Sequence, residues 1–114
     1  MTRIGIAGAG GRMGKMLISR VIDYPDLELT AAIEHKDSPM LGLDPGPFNG
    51  LPEFGFSVQT DIVSVLEKFD VLIDFTNIDS TLENVHTCRA ANKRLVIGTT
   101  GLSDKLPILQ EASH

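Results

Sequence analysis

Residues 8–14, GAGGRMG, place four glycines within seven residues, between the apolar run RIGIA and the stretch KMLISRVI. Glycine loses more backbone freedom on folding than any other residue, so a cluster this dense is costly inside regular structure. The sequence therefore predicts a turn between a strand and a helix, in which the backbone needs either a positive φ or a very close approach to another group.

Strand-like and helix-like patterns alternate along the rest of the chain. The predicted strands are residues 3–8, 27–34, 56–60, 71–75 and 95–100. Apolar side chains recur at helical spacing between these runs, and strands that alternate with helices imply right-handed crossovers and a parallel sheet. We therefore expect one α/β domain, a doubly wound parallel sheet of Rossmann type that is incomplete at its carboxyl end.

The connecting segments have their own signals. A helix is predicted from the glycine-rich turn to about Tyr24, and residues 35–55, with four prolines and four glycines, predict a long loop. Asp61, then Asp79 or Ser80, and finally Ser103 are the expected caps of three later helices. The apolar stripes of two of these helices are predicted as Ile62, Val65, Leu66 and Phe69, and as Leu82, Val85 and Cys88 or Arg89.

The glycines are explained best by an anionic ligand. In this fold the first helix begins at the carboxyl edge of the sheet, where its unpaired N–H groups and its dipole favour a pyrophosphate. Gly8 suits the tight turn, Gly10 or Gly11 the close approach to phosphate, and Gly14 the packing of helix on strand. The spacing is G-x-x-G-x-x-G, because position 13, where the usual fingerprint has its third glycine, is Met. The alternative is a plain strand-to-helix turn.

Acidic and basic residues near this turn suggest which ligand it binds. Glu34 ends the second predicted strand 20 residues beyond Gly14, where a carboxylate can accept hydrogen bonds from a ribose. Because a carboxylate repels a 2′-phosphate while His35 and Lys36 would attract one, the sequence predicts use of both NADH and NADPH, leaning to the unphosphorylated cofactor. Arg12 either adds charge to the phosphate site or faces water.

Two further strand ends meet the same edge of the sheet. Phe75 and Thr76 end one strand, and Gly98, Thr99 and Thr100 end the next. Ligands of open α/β sheets bind outside the carboxyl ends of the strands, so these residues are predicted to line the site, although each alone is also compatible with an ordinary turn.

Charge and composition exclude several classes of function. A net charge of −5 and a pI near 5.0 argue against a nucleic-acid binder, and the chain has no apolar run long enough for a membrane span. Cys88 is predicted to be a buried structural thiol, and the three histidines lack ligand spacing, so no metal site is expected. The MTRIGIAG start lacks a signal-peptide profile, which predicts a cytoplasmic protein.

Four segments together resemble a known family. IAGAGGRMG, AAIE, VLIDFT and LVIGTTG, in this order, resemble the amino-terminal domain of bacterial 4-hydroxy-tetrahydrodipicolinate reductase (dihydrodipicolinate reductase). The resemblance implies a cofactor, NADH or NADPH, with Gly98–Thr100 beside the nicotinamide and Thr100 nearest the substrate. Taken together, the residue patterns and the resemblance predict these cofactor-binding residues: Gly8, Ala9, Gly10, Gly11, Arg12, Met13, Gly14, Glu34, His35, Phe75, Thr76, Gly98, Thr99 and Thr100. Many members carry arginine where this chain has His35.

The resemblance also sets expectations for the whole protein. Members reduce a cyclic dicarboxylate on the diaminopimelate route to lysine, as homotetramers, and are more than twice as long as this chain. Their substrate-binding and tetramer-forming domain has no counterpart here, so we expect residues 1–114 to be the dinucleotide-binding domain, without catalytic residues and inactive alone. Two alternatives stay open: an S-adenosylmethionine-dependent methyltransferase domain, and a non-enzymatic NAD(H)-sensing module.

Overall fold

The computed structural model describes residues 1–76 and 78–97. Its strands are β1 Thr2–Ala7, β2 Leu27–Ile33, β3 Val71–Asp74 and β4 Arg94–Ile97. They form a four-stranded sheet in the order β2-β1-β3-β4, and each neighbouring pair is parallel. The predicted parallel α/β architecture is therefore confirmed.

The helices connect the strands as the alternation predicts. They are α1 Arg12–Val21, α2 Pro45–Phe48, α3 Ile62–Val65, which continues into a 3₁₀ turn over Leu66–Lys68, and α4 Ile78–Ala90. The predicted cap of α3 is confirmed, since the Asp61 carboxylate accepts a hydrogen bond of 3.0 Å from the N–H of Val63.

The sheet is covered on both faces. Alternate residues of a strand point to opposite faces, so Ile4 and Ile6 of β1 pack in one cluster with α1, while Ala7 packs in the other. The second cluster also contains Val65 of α3 and Cys88 of α4. Helix α1 thus covers one face, and α3 and α4 cover the other, which confirms the doubly wound arrangement.

Strand β2 contains an irregularity at Thr30. Ile4 pairs with Leu29, but the next residue, Gly5, pairs with Ala31, so Thr30 is an additional residue in β2. Its hydroxyl donates a hydrogen bond to the carbonyl of Lys68. Because of this shift, both Leu29 and Ala31 point into the protein, each on its own face of the sheet.

The third predicted strand, residues 56–60, is reduced to two isolated bridges. Val58 pairs with Leu41, whereas the adjacent Gln59 pairs with Ile33 of β2. A continuous ladder does not form, because the two neighbouring residues pair with different segments. Residues 56–60 therefore extend the edge of the sheet at Gln59 without becoming a regular strand.

The helix boundaries and one apolar stripe also differ from the predictions. Helix α1 ends at Val21, short of Tyr24, and α4 begins at Ile78, so Asp79 and Ser80 lie in its first turn rather than at its cap. Leu82 is 61% exposed. The buried residues of α4 include Thr81, Asn84 and Cys88, which gives this helix a largely polar inner face.

The long loop is folded around one side chain. The Asp44 carboxylate caps α2 by accepting a hydrogen bond of 2.8 Å from the N–H of Gly46. It also accepts hydrogen bonds from the N–H groups of Phe54, at 3.0 Å, and Gly55, at 2.8 Å. Both ends of the loop segment 44–55 are therefore held together at Asp44.

Other predictions fall outside the described residues. These are the carboxyl end of the last strand, with Gly98, Thr99 and Thr100, and the helix expected after Ser103. Within the described residues, no helix combines the length and apolar character that a membrane crossing requires.

Candidate cofactor-binding site

A crevice of about 560 Å³ opens at the carboxyl edge of the sheet. Its volume is within the range of roughly 300–1,000 Å³ that is usual for small-molecule sites. The lining residues are Gly8, Gly10, Gly11, Ile33, Glu34, His35, Ser38, Pro39, Thr60, Asp61, Ile62, Phe75, Thr76, Ser80, Glu83 and Asn84. The structure thus brings the ends of β1, β2 and β3 to one cavity.

The turn after β1 begins at a glycine with a left-handed backbone. Gly8 has a φ of +84°, and a Cβ there would lie 3.1 Å from the carbonyl oxygen of Phe75. Its N–H donates to the carbonyl of Ile33 at 3.0 Å, and the N–H of Gly11 donates back to the carbonyl of Gly8 at 3.1 Å. The predicted tight turn is therefore present, and a side chain at Gly8 would be strained.

Gly14 packs α1 against the same turn. A Cβ at this position would lie 2.2 Å from the carbonyl oxygen of Gly8 and 2.8 Å from Cα of Ala9. Both neighbours are backbone atoms, which cannot move aside as a flexible side chain could. The helix can therefore approach the strand this closely only with glycine at position 14, as the sequence predicts.

The first turn of α1 provides hydrogen-bond donors beside the crevice. Gly11 is the N-cap residue, with extended backbone and no side-chain cap. The N–H groups of Arg12, Met13 and Gly14 have no intrahelical acceptor, as in every α-helix, and the positive end of the helix dipole lies here. The backbone of this turn is thus suited to an anion, while the Arg12 side chain is exposed.

Glu34 is held in place by backbone donors on both sides. Its Oε2 accepts a hydrogen bond of 2.7 Å from the N–H of Gly10, and its Oε1 accepts one of 2.9 Å from the N–H of His35. A Cβ on Gly10 would lie 3.0 Å from Oε2, so the glycine allows this close approach. The His35 imidazole is exposed, with its Nε2 3.8 Å from Oε1 of Glu34.

The turn after β3 is held by a buried carboxylate that sequence reasoning missed. Asp74 is fully buried, and its side chain accepts hydrogen bonds from Thr76, Thr81 and Asn84. Phe75 and Thr76 follow it and line the crevice, as predicted. The missed signal is the DFT sequence itself, where a charged residue ends an otherwise apolar strand.

Several lining residues were not predicted, although some carried a signal. Thr60 ends the predicted segment 56–60 and Asp61 follows it, so the same rule that selected Phe75 and Thr76 applies to them. Ser80, Glu83 and Asn84 share one face of α4 through their spacing of three and four residues. Ser38 and Pro39 carry no comparable signal.

The remaining predicted residues lie beside the cavity rather than on it. Ala9 is fully buried, Met13 is partly buried, and neither is among the lining residues.

Cys88 is buried as predicted, and burial, together with the charge of Asp74, raises the pKa of its thiol. No group of three or more potential metal ligands occurs among the described residues.

The family described as "Dihydrodipicolinate reductase, N-terminus" matches residues 2–114. The chain belongs to this family. It is 48% identical over 115 residues to the 4-hydroxy-tetrahydrodipicolinate reductase of Hahella chejuensis (strain KCTC 2396), covering all of this chain and 43% of the relative. The chain therefore spans less than half the length of that protein.

Two solved structures share the fold of this chain. A dipicolinate-bound dihydrodipicolinate reductase from Paenisporosarcina sp. TG-14 is 31% identical, with a TM-score of 0.66, covering 98% of this chain and 42% of that one. An aspartate semialdehyde dehydrogenase with NADP from Candida albicans shares the fold at 19% identity and a TM-score of 0.69, covering 88% of this chain and 30% of that one. The predicted family is confirmed, whereas the assignment of individual site residues stays a prediction.

Proposed function

We propose that this chain is the NAD(P)H-binding domain of a 4-hydroxy-tetrahydrodipicolinate reductase of lysine biosynthesis. The observation that carries the proposal is the arrangement at the start of α1, where a glycine turn, an uncapped helix end and a fixed Glu34 face one crevice. A plain strand-to-helix turn does not require this combination of features. The reductase family also favours this function over a methyltransferase or a sensing module.

The glycine turn and the first turn of α1 bind the pyrophosphate. The N–H groups of Arg12, Met13 and Gly14 supply donors without intrahelical acceptors, and the helix dipole adds positive potential. The position that a Cβ of Gly11 would take is open, because the carbonyl oxygen of Gly8, 3.4 Å away, is the only neighbouring atom of the described residues within 4 Å. A phosphate can therefore come close to the backbone here.

Glu34 binds the adenosine ribose. Its two oxygens are fixed by the N–H groups of Gly10 and His35, so the carboxylate is oriented before the ligand arrives. Each oxygen still has acceptor capacity for a ribose hydroxyl, because a carboxylate offers about four lone-pair positions. The Glu34 carboxylate repels a 2′-phosphate, whereas the basic residues His35 and Lys36 attract one, so the domain uses both NADH and NADPH with a preference for NADH.

We assign Phe75 and Thr76, which line the crevice, to the nicotinamide side of the site, and Gly98, Thr99 and Thr100 to binding of the same ring. The bound nicotinamide supplies a hydride for reduction of a carbon–nitrogen double bond. This chain orients that ring and excludes water with the apolar face of Phe75. Thr100 is the residue nearest the substrate, and no residue of the chain acts as the proton donor.

The remaining properties belong to the whole enzyme. Its substrate is a cyclic dicarboxylate, in keeping with the dipicolinate in the Paenisporosarcina reductase. The substrate-binding and tetramer-forming domain lies in the part of the relatives that this chain does not match, so residues 1–114 bind cofactor without turnover. The enzyme acts as a homotetramer in the cytoplasm.

Titration of this chain with NADH and NADPH tests the proposal. We expect saturable binding of both, read as enhanced nicotinamide fluorescence or as calorimetric heat, with NADH binding more tightly. S-adenosylmethionine is the control ligand and is expected not to bind. The proposal would be overturned if the folded chain bound S-adenosylmethionine but neither NADH nor NADPH.

A further inference from the structure

The proposed chemistry gives no role to the most deeply buried carboxylate of the described residues. The side chain of Asp74 has no exposure to solvent, at the end of β3. Its Oδ1 accepts hydrogen bonds from the N–H of Thr76, at 2.8 Å, from the hydroxyl of Thr76, at 2.6 Å, and from the hydroxyl of Thr81, at 3.2 Å. Its Oδ2 accepts one of 2.8 Å from the amide of Asn84.

A buried carboxylate destabilises a fold unless hydrogen-bond donors are arranged around it, whereas an apolar residue needs no such donors. The surrounding face of the sheet is otherwise apolar, with Leu72 and Cys88 in the same cluster. The carboxylate therefore needs an explanation beyond filling space.

The residues that donate hydrogen bonds to Asp74 explain why the carboxylate is there. Thr76 and Asn84 both line the crevice, whereas Thr81 does not. Asp74 accepts from both the backbone and the side chain of Thr76, two residues further along, so it fixes that residue in a tight turn of the Asx type. Its bonds to Thr81 and Asn84 attach the same turn to α4.

The turn that Asp74 fixes lies directly against the glycine turn. From the position of a Cβ on Gly8, the carbonyl oxygen of Phe75 is 3.1 Å away and the methyl group of Thr76 is 3.5 Å away. The N–H of Phe75 also donates to the carbonyl of Ala7 at 3.0 Å. A shift of Thr76 would therefore change the width of the crevice where the glycine turn opens.

We propose that Asp74 is a positioning residue for the cofactor. Through Thr81 and Asn84 of α4, its carboxylate holds the Phe75–Thr76 turn against Gly8 and so sets the shape of the crevice. Asp74 does not touch the ligand itself. This inference rests on the proposed function, because the ligand whose binding it controls is NAD(P)H.

Thr81→Val tests the inference without changing a lining residue. The substitution keeps the shape of the side chain but removes the hydroxyl that bonds to Oδ1 of Asp74 and to the hydroxyl of Thr76. We expect the NADH dissociation constant to rise about fivefold, the effect of one net hydrogen bond. Thr81→Ser, which restores the hydroxyl, should return the dissociation constant to the original value.

Thr30→Val is the matched control. It makes the same chemical change at a partly buried threonine whose hydroxyl bonds to the carbonyl of Lys68, away from the crevice. Both valine variants should lower Tm, but only Thr81→Val should weaken NADH binding at a temperature where all the proteins are folded. Equal NADH affinities for the two variants would show that the network only stabilises the fold. Thr81→Ala removes the same hydroxyl and replaces Thr81→Val if that variant does not fold.

Amide hydrogen exchange provides a readout that needs no ligand. In Thr81→Val the Thr76 amide should exchange about tenfold faster relative to the Phe75 amide, because its acceptor on Asp74 is less firmly held. Unchanged exchange at Thr76 would overturn the inference even if NADH binds. Failure of the wild-type chain to bind NADH or NADPH would instead count against the proposed function, and the exchange result would still decide how Asp74 holds the turn.

Discussion

The two turns that lie against each other at the crevice are built by opposite means. The turn after β1 is rich in glycine and is shaped by backbone contacts, such as that between Gly14 and the carbonyl of Gly8. The turn after β3 is shaped by one buried side chain, Asp74, and its donors on α4. The first turn should therefore be damaged by adding atoms and the second by removing them.

The largest effect is expected from Asp74→Ala. The substitution removes the acceptor of four hydrogen bonds, two of which come from the buried side chains of Thr81 and Asn84. Unsatisfied buried donors cost roughly 1–3 kcal/mol each, so we expect the free energy of unfolding to fall by about 4 kcal/mol. Urea denaturation at 25 °C measures this loss.

Asp70→Ala provides the control for Asp74→Ala. Asp70 forms an ion pair of 3.0 Å with Arg3 and also accepts a hydrogen bond of 2.9 Å from the N–H of Arg3, and both side chains are partly exposed. Exposed ion pairs contribute about 0–1 kcal/mol, so this variant should lose much less stability than Asp74→Ala. If the two variants were equally stable, the turn after β3 would not depend on its buried carboxylate.

Gly14→Ala tests the first turn by adding a single methyl group. The new Cβ would lie 2.2 Å from the carbonyl oxygen of Gly8, and neither backbone can yield without moving the turn. We expect a loss of about 3 kcal/mol in the free energy of unfolding, the upper part of the range for overpacking, despite the higher helix propensity of alanine.

Gly11→Ala serves as the comparison for Gly14→Ala. A Cβ at Gly11 would meet only the carbonyl oxygen of Gly8, at 3.4 Å, which is an ordinary contact. Its stability should change by less than about 0.5 kcal/mol. A Gly14→Ala variant as stable as Gly11→Ala would mean that the helix does not need glycine to approach the strand.

The difference between the two turns also explains which parts of the site can be predicted from the sequence. The glycine turn is a local pattern, in which residues 8–14 and the flanking apolar runs are sufficient to predict the strand, turn and helix that the structure contains. Glu34 is also predictable, because the carboxyl end of β2 must lie at the same edge of the sheet. The parallel sheet follows from the alternation of strands and helices.

The turn after β3 could not be predicted in the same way. Its explanation depends on Thr81 and Asn84, which lie 7 and 10 residues beyond Asp74 and pack against it only in the folded protein. The buried polar face of α4 also made the predicted apolar stripe wrong at Leu82, which is exposed. Hydrophobic periodicity located this helix but could not identify all of its buried side chains, because its inner face is largely polar.

Gly11→Asp separates the function of the glycine turn from its stability. An aspartate at the N-cap can accept hydrogen bonds from the first N–H groups of α1, so the fold should be as stable as the wild type or slightly more stable. The same carboxylate would occupy and repel the proposed pyrophosphate site. We expect NADH affinity to fall at least about 100-fold, measured by calorimetry. Gly11→Ala also places a Cβ where the phosphate approaches, so it should weaken NADH binding, but less than Gly11→Asp because it adds no charge.

Glu34→Gln is the most subtle test, because it changes the charge at the crevice while retaining an oxygen that can accept the N–H of Gly10. Removal of the negative charge should relieve the repulsion of a 2′-phosphate, so the ratio of NADPH to NADH affinity should rise about tenfold. Glu28→Gln makes the same change on the exposed part of β2, at its other end, and should leave the ratio unchanged. An unchanged ratio in Glu34→Gln would mean that the carboxylate fixes the glycine turn without discriminating between the cofactors. The turn after β1 would then resemble the turn after β3, where a carboxylate acts on the backbone and not on the ligand.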